Sequence, residues 1–84
     1  MWAIRLTRQA QKSLAALHPE MRSGVTKAIN RLAADPFTAS NVKALKGSDE
    51  LRLRVGQYRI IYRLEDDELI VVVVDVGARG GIYD

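Results

Sequence analysis

Apolar and polar residues alternate with period two over residues 51–64, which read Leu-Arg-Leu-Arg-Val, then Gly-Gln, then Tyr-Arg-Ile-Ile-Tyr-Arg-Leu. Such alternation marks a strand with two unlike faces. Gly56 stands at the first central position of a two-residue connection, where a type II′ turn needs it. The stretch therefore predicts a β-hairpin. Leu51, Leu53 and Val55 fall on one side of its first strand, and Arg52 and Arg54 on the other. In the second strand Tyr58, Ile60, Tyr62 and Leu64 share one side, and Arg59, Ile61 and Arg63 the opposite one. The apolar sets can build a core, and the arginine sets can meet on an open face.

The rest of the chain changes period. Trp2, Ile4 and Leu6 alternate, which predicts a short N-terminal strand, and Thr7 offers a hydroxyl to cap a helix. Ala10, Leu14 and Leu17 follow at helical spacing, with Arg8, Gln11 and Lys12 outward. His18-Pro19 breaks this helix, because the residue before proline disfavours the helical region. Pro19 then suits the first position of a second helix. Met21, Val25, Ala28, Ile29 and Leu32 form its stripe, and Asp35-Pro36 stops it. So short a link predicts an antiparallel helical hairpin. Residues 37–49 have no clear period and read as a connection with one turn of structure. After the β-hairpin, Glu65 to Glu68 is an acidic turn, and residues 69–76 read as a strand apolar on both faces, the mark of a sheet centre.

These elements predict an α+β fold, with a strand and a helical hairpin packed on one face of a small, mostly antiparallel four-stranded sheet. The 84 residues allow one small domain, taken as residues 1–84. There is no cysteine, so neither a disulfide nor a thiolate metal site can form, which fits a reducing cytoplasm. Arg5 interrupts the N-terminus too early for a signal peptide, and the apolar run at residues 69–74 is too short to span a membrane. The net charge of +3 permits a nucleic-acid or acidic-protein partner.

Candidate chemistry is sparse. Arg52, Arg54 and Arg59 can lie in one patch across the hairpin, where like charges cost stability. A solvated strand face accounts for them, and so does a bound phosphate or acidic partner. Composition alone reads the glycine-containing end, with Arg79 and Tyr83, as a frayed terminus. His18 is the single histidine, so no His-based metal site can be built, and it reads as a cap or surface residue. Consecutive carboxylates at Glu65 to Glu68 do not converge on one cation. Neither a phosphate-binding glycine loop nor a nucleophile elbow is present. No cofactor is implied.

Three segments carry a resemblance. They are Lys43-Ala44-Leu45-Lys46-Gly47, then residues 51–62, then Val76-Gly77-Ala78-Arg79 with Ile82-Tyr83. Together they resemble the RelE branch of the RelE/ParE toxin superfamily, whose usual pattern is "LKG", "RLRVGDYRVIY" and "VGHRREVY". The likeness extends over the N-terminal strand and helices. It implies a toxin of a type II toxin–antitoxin pair, neutralised by a RelB-like antitoxin with an acidic, amphipathic helix. It further implies a hetero-oligomer of the two and cleavage of messenger RNA in the ribosomal A site. The implied catalytic residues are Arg52, Arg54, Arg59, Arg79 and Tyr83, with Lys43 and Lys46 as weaker RNA contacts. Ala78 stands where many relatives have histidine or lysine, and Gly80 and Gly81 where relatives often have charges. Those departures keep two alternatives open: a ParE-like poison of DNA gyrase, and a toxin that only binds its antitoxin.

RNA can be cut without metal when the 2′-hydroxyl attacks the adjacent phosphorus. That step needs a base, a cationic clamp for the phosphoryl oxygens and an acid for the leaving oxygen. Arginine fits the clamp, with a permanent charge and a planar fork. A tyrosine beside guanidinium groups ionises more readily and can act as base, the role the resemblance leaves for Tyr83. Arg54 or Arg79 then assists the leaving group.

Overall fold

The structure, a computed structural model, describes residues 2–37, 42–45, 47 and 49–78. The chain begins with β1 (Ala3–Leu6), followed by α1 (Arg8–Ala16) and α2 (Pro19–Ala34). Four strands complete it: β2 (Val42–Ala44), β3 (Leu51–Val55), β4 (Tyr58–Glu65) and β5 (Ile70–Ala78). They form one sheet in the order β1-β5-β4-β3-β2. β1 pairs with β5 in parallel, and every other pairing is antiparallel.

The element boundaries follow from the residues that cap them. The Ala10 N–H donates to Thr7 Oγ1 (3.0 Å), which fixes the start of α1. Leu17 closes α1 in extended backbone, and Pro19 opens α2 at its first position. His18 is the cap of α2, its Nδ1 accepting from the Glu20 N–H at 3.4 Å. Arg22 ties the two helices together. Its guanidinium donates to the Leu14, Ala15 and Leu17 carbonyls at the C-terminal end of α1, the first of which also accepts the Leu17 N–H.

Both helices lie on one side of the sheet. Ala10, Val25, Ala28, Ile29 and Leu32 pack there with Leu53, Ile60, Tyr62, Val71, Val73 and Val76. Val55 is half-buried against the same cluster. The apolar alternation of the β-hairpin is thus read in the correct register, with Arg54 exposed. Gly56 has φ 55° and Val55 pairs directly with Tyr58, as a two-residue primed turn requires. β5 lies inside the sheet, as its valines predict.

Two expectations change. The sheet has five strands instead of four, because Val42–Ala44 pairs with β3 where a connection was expected. Three residues are too few to show alternation, and this edge strand is recruited by the free edge of β3. β5 also runs on through Gly77 to Ala78 instead of ending at residue 76. Among the described residues no helix is long and apolar enough to cross a membrane.

Candidate phosphate-binding face

The face opposite the helices carries the basic residues. Arg54 and Arg59 are direct partners across the β-hairpin, one step from its turn. Lys43 and Arg52 are direct partners between β2 and β3, and Arg52 is in turn opposite Ile61. Partners in a ladder place their Cβ atoms about 5 Å apart on the same face. Four cations from three strands therefore share one surface. The unforeseen strand β2 is what brings Lys43 into it.

The four are not equivalent. Lys43 and Arg54 are exposed, Arg52 is half-buried, and Arg59 is only 8% exposed. Arg59 is the single charged side chain buried among the described residues. A guanidinium held against the sheet loses little freedom when an anion arrives, and the lower local dielectric strengthens the attraction. Lys43, Arg52 and Arg54, with Val42, line a shallow pocket of about 300 Å³ at the β2–β3 edge. Arg59 stands one strand inward from it.

Ile61 and Val72 are fully buried although they lie outside the helix-side cluster, so the basic face has a small apolar centre of its own. Arg63 sits farther along β4 and is engaged by Glu65, with Nε to Oε1 at 3.2 Å. Lys46, Arg79 and Tyr83 lie outside the described residues. The described part of β5 reaches Ala78, opposite Tyr58 and one pair beyond Arg59 and Gly77. Among the described residues no three His, Cys, Asp or Glu side chains group to hold a metal. His18 is exposed at the start of α2, far in sequence from the basic strands.

Two features of β5 escaped the pattern reading. Ile61 pairs with Asp75 while Tyr62 pairs with Val73, so Val74 is an extra residue, a β-bulge. Beyond it, Gly77 is the partner of Arg59. The signal was present in the sequence. Val71, Val73 and Val76 face the core, and their spacing of two and then three skips Asp75.

This helical hairpin on a five-stranded sheet with a basic face has known relatives. Residues 4–83 match the family model described as ParE toxin of type II toxin–antitoxin system. The chain belongs to this family, within the RelE/ParE superfamily, and is a toxin of the type II class. It is 28% identical over 83 residues to the toxin RelG of Mycobacterium tuberculosis, covering 98% of this chain and 95% of RelG. The toxin–antitoxin complex RelBE2 of the same organism contains a chain that superposes with a TM-score of 0.81 at 28% identity. That match covers 93% of this chain and 98% of the other. An archaeal RelE from the RelE–RelB complex of Pyrococcus horikoshii shares the fold, with a TM-score of 0.82 at 22% identity over 95% and 97% of the two chains.

Proposed function

We propose that the protein is a ribosome-dependent endoribonuclease that cleaves messenger RNA in the A site and is held inactive by a RelB-like antitoxin. The observation that carries this reading is the cross-strand pair Arg54–Arg59 beside the pair Lys43–Arg52 on one open face. Like charges placed directly opposite one another oppose folding, and a phosphate between them relieves the repulsion.

In this reading the scissile phosphate is clamped by Arg59 from within the sheet and by Arg54 from its rim. As the 2′-hydroxyl attacks, charge grows on the non-bridging oxygens, and two planar forks meet it. Tyr83 takes the 2′-proton, and Arg79 or Arg54 assists departure of the 5′-oxygen, leaving a 2′,3′-cyclic phosphate. Lys43, Arg52 and Lys46 hold flanking phosphates. The ribosome supplies the alignment of the RNA, so a site without a conventional acid–base pair suffices. The similarity to RelG and to the RelBE2 toxin supports this choice. The antitoxin is proposed on the same ground, since that structure is of a toxin–antitoxin complex.

A second reading has its own support. The matching family model is described by ParE, and Ala78 and Gly80 lack the charged groups of many RelE-type toxins. A gyrase poison without nuclease chemistry is the alternative. Primer extension on messenger RNA after translation in vitro, run beside a gyrase supercoiling assay, separates the two. Cleavage within A-site codons supports the nuclease, whereas intact messenger with blocked supercoiling replaces it with the gyrase reading.

A further inference from the structure

Arg5 and Arg63 stand on either side of one residue. Val72 is the parallel partner of Arg5 on β1 and the antiparallel partner of Arg63 on β4. Direct partners in a sheet point to the same face, and Val72 lies outside the helix-side core, so all three share the face opposite the helices. Neighbouring strands are spaced so that the Cα atoms of Arg5 and Arg63 are about 10 Å apart, with Val72 between them. Along β4, Arg63 follows Arg59 on the same face at about 13 Å, too far for one phosphate to join them.

The charges at this end are available. Arg5 is exposed, and among the described residues its side chain makes no ion pair or hydrogen bond. The Arg63 side chain is 41% exposed and gives only its Nε to Glu65, which leaves both terminal nitrogens of the fork. An ion pair so exposed contributes little and yields readily to a second anion. Between the two ends of the face, Ile61 and Val72 are fully buried. Asp75, the partner of Ile61, has its Oδ1 drawn to Ser13 of α1 and to the Val76 N–H. Glu65 lies at the same end of the sheet as Arg63, and Glu50 is one residue ahead of β3. This end is therefore less basic than the Arg54–Arg59 end and suits a flanking phosphate, not the reacting one.

A structural role covers only part of this. A charge on an edge strand guards it against pairing with another chain, and either sign serves. Guarding the edge does not call for a second arginine across Val72, where two cations repel until an anion sits between them. We propose that Arg5 and Arg63 form a second phosphate clamp over Val72, holding another phosphate of the same single-stranded RNA whose reacting phosphate sits at Arg54 and Arg59. RNA as the ligand rests on the nuclease reading, whereas binding at this clamp needs no cleavage.

Fluorescence anisotropy tests it with a labelled 2′-O-methyl RNA, which lacks the attacking hydroxyl, over a range of salt. The slope of log affinity against log salt counts the phosphates neutralised at once, about 0.7 for each in a single strand. Replacing Arg5 and Arg63 together with Ala should flatten the slope by about 0.7, and adding Arg54→Ala should flatten it further, because one strand reaches both ends. Arg5→Lys should bind as wild type does. Arg5→Glu keeps a guarding charge on the edge and should bind more weakly than Arg5→Ala; wild-type affinity there supports edge protection alone and overturns the clamp. Lys27, exposed on α2 across the sheet, is the control. An equal loss in Lys27→Ala would mean diffuse attraction and overturn the clamp. So would a wild-type slope in the double variant, or no measurable binding by the wild-type protein at low salt. RNA bound with the expected dependences, beside intact A-site messenger, removes the nuclease reading and leaves the clamp. Cleavage of messenger with a wild-type slope in the double variant does the reverse.

Discussion

Arg59 concentrates the account at the scale of one residue. It is buried and set opposite another arginine, a like-charge placement that folding alone does not require. Arg59→Ala should slow cleavage by roughly a hundredfold or more, the usual loss when one transition-state donor is removed. Arg59→Lys should recover only part, because lysine keeps the charge and loses the fork. Single-turnover rates on programmed ribosomes check both. Tyr62 is the opposite case, a polar atom with no apparent task. Its side chain is fully buried under the helices, and its hydroxyl has no hydrogen-bond partner among the described residues. Burial pushes its phenol pKa up. A raised folded-state pKa means stability that is complete below the ordinary tyrosine value, near 10, and is lost as pH climbs through the folded one. Tyr62→Phe should therefore raise stability by about 1 kcal/mol near neutrality and flatten the loss above about pH 10. Denaturant unfolding across pH measures both, and a variant less stable than wild type at pH 7 would reveal a hidden partner for the hydroxyl.

Elements differ in how openly the sequence declares them. The β-hairpin was legible because alternation, Gly56 and the arginine spacing agree, and its register places Leu53 inside and Arg54 outside as expected. Helix boundaries were legible through Thr7, His18-Pro19 and Asp35-Pro36. β2 was not, because a three-residue edge strand is defined by its neighbour's hydrogen bonds and leaves no pattern of its own. The bulge was hidden by valines on both faces of β5, which make one register look like the next. Only Asp75 among them reveals it. The acidic turn holds a further element-scale feature. Leu69 closes it with φ 54°, a conformation that suits glycine, and its side chain is largely exposed. The backbone there is useful, since the Leu69 carbonyl accepts the Ala3 N–H at 2.8 Å and anchors β1. Leu69→Gly should keep that bond and raise stability by about 0.5–1 kcal/mol, the relieved strain less the chain entropy of glycine. A lowered thermal midpoint would contradict the strain argument.

For the whole molecule, the division of the sheet into two faces is the organising fact. One face is covered by both helices, and the other holds Lys43, Arg52, Arg54 and Arg59 in adjoining ladder pairs. The arginines of this set were legible from alternation alone. Their assembly with Lys43 was not, because it depends on a strand the pattern does not show. An antitoxin that neutralises such a face must bring carboxylates to it, and rim charges act mainly on association. Its association rate should fall steeply as salt rises, and rates indifferent to salt in stopped-flow mixing would remove electrostatics from the pairing.

The central claim is that this basic face cuts messenger RNA. Its most direct test is single-turnover cleavage of a messenger on programmed ribosomes by the wild-type protein and by Tyr83→Phe. The account predicts A-site cleavage leaving a 2′,3′-cyclic phosphate, slowed roughly a hundredfold without the Tyr83 hydroxyl, with ribosome binding unchanged. Intact A-site messenger at saturating toxin, together with inhibition of gyrase supercoiling by the same preparation, would contradict it.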